Sequence, residues 1–176
     1  MENLIIIVWL LLVVFMIHDF EEIIFFKSWI RKNKDLDEKL PKVLRRFLPD
    51  FNNLSTSAFT LAVAEEFILL SLIILVSVLL NNYVLWLAAF MGFFFHLFIH
   101  IGQGIVLKRY VFGLWTSFPA LIYCVYVLNE IITNNIFQTS QIILWTVIGL
   151  GLMGVNLIFA HKLAEMFDKR QAHLAE

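Results

Sequence analysis

The sequence has one cysteine, Cys124, set inside an apolar run, so no intrachain disulfide can form and no CxxC knuckle is available to a metal. A metal here would have to use imidazole and carboxylate ligands. Charge is equally scarce. Only 15% of the 176 residues are charged while 61% are hydrophobic, and mean hydropathy is +0.85, which excludes a water-soluble globular domain of this size. Lys and Arg are missing from the long apolar runs, so acids within them have no basic partner. Met1-Glu2-Asn3 lacks the basic residues of a secretory signal, no small-residue cleavage pattern follows, and the first run is expected to be retained. No internal repeat or low-complexity tract is present, and nothing alternates with the short period of barrel strands. The net charge of −1 says little, and no nucleic-acid partner is expected.

What is there is a set of five apolar runs, 4–26, 55–80, 84–107, 111–128 and 142–160, each near the length of about 20 residues that crosses a 30 Å hydrocarbon core. They must be helices, because backbone amides in lipid need partners within their own segment. The fold class is therefore an all-α polytopic bundle forming a single membrane domain, with Ser55 or Thr56 capping the second span. All 13 cations fall between spans one and two, between three and four, or after five. By the positive-inside rule the N-terminus is expected outside and the C-terminus in the cytoplasm, and the location is expected to be a bacterial cytoplasmic membrane. Between the first two spans, 41–48 begins with Pro41 and has an apolar face of Val43, Leu44, Phe47 and Leu48, which predicts a short interfacial helix. A solvated basic loop is the plainer alternative.

The polar residues inside the runs stand out because each ionisable group costs about 2.5–3.5 kcal/mol at a helix centre on insertion scales. His18, Glu21 and Glu22 share one face of the first helix, at i, i+3 and i+4. The second contributes Glu65 and Glu66, the third His96 and His100 one turn apart, and the fifth Asn156 and His161. Counting helical rise inward, His18, Glu65, His96 and His100 all fall roughly 10–17 Å from the same boundary, so three antiparallel helices can bring them to one level.

Imidazoles and carboxylates at one depth suit a first-row divalent cation, which would offset acids that have no basic partner. The expected ligands are His18, Glu21, Glu65, His96 and His100, holding one or two ions of zinc or iron. Glu22 and Glu66 are expected to handle protons, although spacing does not separate the four glutamates. Asp19, Asn156 and His161 are expected just outside the ligands, orienting them. The bland reading of any one of these, and above all of His161 near the membrane edge, is a helix–helix hydrogen bond. Likewise Gly149, Gly151 and Gly154 are expected to permit close helix packing.

The chain resembles the HXXEE-domain family of small integral membrane proteins, on the strength of His18-Asp19-Phe20-Glu21-Glu22, Ala64-Glu65-Glu66, and Phe95-His96 with His100. It departs from that pattern at Tyr110-Val111-Phe112-Gly113, where a proline would be expected before the glycine. The resemblance implies a membrane-embedded, metal-dependent protein and supplies no substrate. The expected function is a hydrolase in which metal-activated water attacks a lipid-like or lipid-linked amphiphile from the cytoplasmic leaflet, with membrane lipid as the partner. Alternatives are a di-iron oxidase or hydroxylase, a metal-independent intramembrane glutamate protease, and a proton or metal-ion transporter. Oligomeric state is left open.

Overall fold

The computed structural model describes residues 2–33 and 54–174. The interfacial helix expected over 41–48 lies outside the described residues. Five helices account for nearly all of the rest: α1 (Glu2–Lys32), α2 (Thr56–Leu79), α3 (Val84–Leu107), α4 (Leu114–Thr133) and α5 (Thr139–Leu174). All five are long and apolar enough to span a bilayer, and among the described residues there is no strand. The chain is thus an all-helical membrane protein. Large apolar side chains on the outside, such as Ile6, Ile24, Ile122 and Val155, are what a lipid-facing surface requires.

Three of the helices, α1, α4 and α5, run longer than the apolar runs from which they were read, while α2 and α3 keep the expected bounds to within a residue, because a helix continues until something ends it. At the start of α2 it is Ser55, whose hydroxyl accepts from the Ala58 N–H at 3.0 Å and donates to Asp168 of α5 at 2.6 Å. The fourth helix begins at Leu114 rather than at 111, because Gly113 occupies the left-handed region with φ 81° and forces a break. No glycine or proline follows Ala160, so α5 continues through a charged stretch to Leu174.

The main contacts follow the cyclic order α1, α2, α5, α3, α4, with a smaller contact between α2 and α3 across the ring, and α3 packs most extensively on α5. That closeness follows from Gly149, where a Cβ would collide with the backbone carbonyl of Ala88. Gly151 and Gly154 face open space instead, so of the three glycines only Gly149 is needed for packing. Two apolar clusters fill the ring. One gathers Val8, Leu11, Trp86, Phe90 and Val127; the other gathers Phe26, Phe59, Ala62, Ala160 and Ala164, with Phe26 and Phe59 stacked at 4.2 Å between ring centroids. Between the clusters lies a polar layer. There α1 and α3 make little backbone contact, and long side chains bridge the gap.

Candidate metal centre

Spacing of four residues on each of two facing helices builds the layer. On α1 His18 and Glu22 project to one side, on α3 His96 and His100 do, and one ligand atom from each lies within 4.8 Å of the other three. Oε1 of Glu22 is 2.7 Å from Nε2 of His100 and 3.7 Å from Nε2 of both His18 and His96; the Nε2 atoms of His96 and His100 are 2.9 Å apart. His18 is fully buried, and Glu22 and His100 nearly so. Three imidazole nitrogens and an anionic oxygen thus point at one small volume. A neutral imidazole has one N–H, and this set cannot pair all of its lone pairs internally. Nε2 of His18 is left buried without a hydrogen bond, and so is Nδ1 of His100. A divalent cation set among the three Nε2 atoms and Oε1 of Glu22 would satisfy these convergent groups at once, and Nδ1 of His100 points away from that volume.

The tautomer of His18 follows from a chain of hydrogen bonds to α4. The Thr116 hydroxyl lies 2.6 Å from Oε2 of Glu21 and 3.0 Å from Nδ1 of His18. A hydroxyl has one proton, and the carboxylate takes it. The His18 ring must therefore donate from Nδ1 to Thr116, which leaves an unprotonated Nε2 facing the other imidazoles, as a metal ligand needs. Thr116→Val should lower metal affinity by about 10–100-fold while Thr116→Ser preserves it, as measured by competition with a chelating dye.

Glu21 stands apart from the imidazoles. Its carboxylate accepts from the Tyr110 hydroxyl at 2.7 Å, the Trp115 N–H at 3.2 Å, the Thr116 N–H at 2.7 Å and the Thr116 hydroxyl. The first turn of α4 has no acidic residue and no side-chain cap of its own, and Glu21 of α1 supplies the negative charge that its amides need. Burial and then the bond to Glu21 push the Tyr110 phenol above its ordinary pKa, so it stays a donor.

The other expected residues lie around this core. Glu65 accepts from the Asn156 amide of α5 at 3.3 Å, outside the four-residue group. Glu66 borders a cavity shared with His96 and Asn156. Asp19 is buried with Oδ2 unpartnered and feels the charges of Glu22 and Glu66. His161 feels Glu22 and Glu165. So His18, His96 and His100 come together with Glu22, whereas Glu21 and Glu65, both expected among the ligands, lie outside that group.

Three residues that meet the site were given no role by sequence reasoning: Tyr110 and Gly113, noted only as ends of a turn that departs from the family pattern, and Thr116. A Cβ on Gly113 would lie 2.8 Å from Oε1 of Glu22 and 3.1 Å from the His100 ring, so this glycine closes the centre from the α3–α4 turn. The sequence signal for Thr116 is the hydroxyl pair Thr116-Ser117 placed just after a glycine at the start of an apolar run.

A sequence profile for the family described as "Protein of unknown function with HXXEE motif" matches residues 9–127, and the chain belongs to that family. No curated protein and no solved structure matches it.

Proposed function

We propose that this member of the HXXEE family is a membrane-embedded, metal-dependent hydrolase acting on a lipid-like or lipid-linked amphiphile. The observation that carries the reading is the convergence of His18, Glu22, His96 and His100 in a buried layer that holds an anion and no Lys or Arg. Three imidazoles and one carboxylate suit zinc or iron. A cation so held would supply Lewis-acid activation of a water molecule. The chain's own residues do the rest. Glu66, at the cavity that His96 also borders, takes a proton from the attacking water and returns it to the leaving oxygen or nitrogen as the acyl bond breaks. Thr116 holds the orientation of His18, and Gly113 keeps the α4 side closed.

The distribution of cations supports a topology with the N-terminus outside and the C-terminus in the cytoplasm, and a bacterial cytoplasmic membrane as the location. Protein purified without chelator or metal-affinity resin should carry zinc or iron by elemental analysis. His18→Ala and His96→Ala should deplete it, and chelation should lower the thermal midpoint of the wild type. A metal-free wild type whose midpoint does not respond to added zinc or iron would overturn the reading.

A further inference from the structure

Beside the polar layer lies a cavity of about 150 Å³ walled by α2, α3 and α5, and its lining is ordered along its length. On α3 it runs from Leu85 through Ala89 to His96, on α5 from Gly149 to Asn156, and on α2 from Ile73 back to Glu66. Consecutive spans alternate in direction, so α3 and α5 are parallel and α2 opposes them. Glu66, His96 and Asn156 therefore meet at one end, while Ile73, Leu85 and Gly149 mark the other. Leu85 to His96 is about 16 Å at helical rise, and every residue between these ends is apolar. The wall is also open. Leu69, Leu85 and Leu152 are 38%, 42% and 55% exposed on helices that span the bilayer, so the opening gives onto lipid and not onto water.

We infer that this slot is the substrate seat, and that it takes one alkyl chain of an amphiphile that enters laterally from the bilayer, with its polar end against Glu66, His96 and Asn156. A wholly apolar guest would leave those three groups facing hydrocarbon, and a water-soluble guest would have to cross the lipid-facing leucines. One polar end and one chain match the single polar end of the slot. The inference rests on the hydrolase reading for what happens to the guest, but not for where the chain lies.

The test uses full-length protein in phosphatidylcholine nanodiscs and a monoacylglycerol whose acyl chain ends in a diazirine, a neutral probe that needs no metal to bind. Illumination followed by peptide mass spectrometry should place the adducts at the far end, around Ile73, Leu85 and Gly149. A shorter acyl chain should shift them toward Gly92 and Phe93. Ala89→Phe, which fills the slot, and Leu152→Trp, which blocks its mouth, should each lose most of the label with metal content unchanged; Ile17→Phe on the lipid face should lose none. Adducts spread over lipid-facing residues such as Ile17 and Ile122, or label indifferent to both slot variants, would overturn the inference. Slot labelling in a protein that holds no metal would sink the hydrolase reading alone. Bound metal without slot labelling would sink only the seat.

Discussion

Glu22→Gln protein is expected to bind its metal at least about 100-fold more weakly than wild type, a loss larger than that from disturbing a group behind a ligand. Its metal-free form should nonetheless be as stable as metal-free wild type, or more so. Glu22 is a buried anion near Asp19 and Glu66, and neutralising it removes a repulsion that only a cation otherwise relieves. Glu21→Gln should behave oppositely. It keeps the shape of the side chain but loses the charge facing the amides of Trp115 and Thr116, and it turns one acceptor toward donors as another donor. The thermal midpoint of its metal-free form should fall, by the equivalent of about 1–3 kcal/mol. Two adjacent glutamates would then show effects of opposite sign on apo stability, readable by thermal denaturation in detergent beside elemental analysis. A Glu21→Gln protein that lost its metal while Glu22→Gln kept it would reverse the assignment.

Gly113→Ala should be nearly as damaging, for reasons of backbone and space together. At φ 81° an alanine is strained by about 1–2 kcal/mol, and its methyl would press on the Glu22 oxygen and the His100 ring at once. The ligands cannot yield without separating from one another, so metal affinity should fall together with stability. Gly102→Ala is the control. It sits in a helix with nothing near the added methyl, and should gain about 0.5–1 kcal/mol. Equal behaviour of the two variants would show that the α3–α4 turn does not press on the centre.

How far the sequence could be read depended on whether a feature was local. The five helices followed from the length of apolar runs, and the shared depth of His18, His96 and His100 followed from helical rise alone. The choice between Glu21 and Glu22 did not, since both are within a turn of His18 on the same side of α1. What separates them is the position at which α4 starts, and that depends on Gly113, ninety-odd residues away. The same holds for Thr116. Its hydroxyl is unremarked in an apolar run until packing sets it between His18 and Glu21. Glu65 failed to separate from Glu66 because depth is shared by neighbours, whereas azimuth around the bundle is decided by α5 through Asn156.

The cyclic order of the helices also bears on biosynthesis. The last of the five to leave the ribosome packs on both the second and the third, and most extensively on the third, so a nascent chain with four inserted spans carries all three imidazoles and Glu22 but lacks one wall of the proposed alkyl seat. Arrival of α5 brings Asn156 to Glu65 and Asp168 to Ser55, latching the wall at two levels. The proposed seat is therefore completed only with the last span, after every helix that carries His18, Glu22, His96 and His100 has been made.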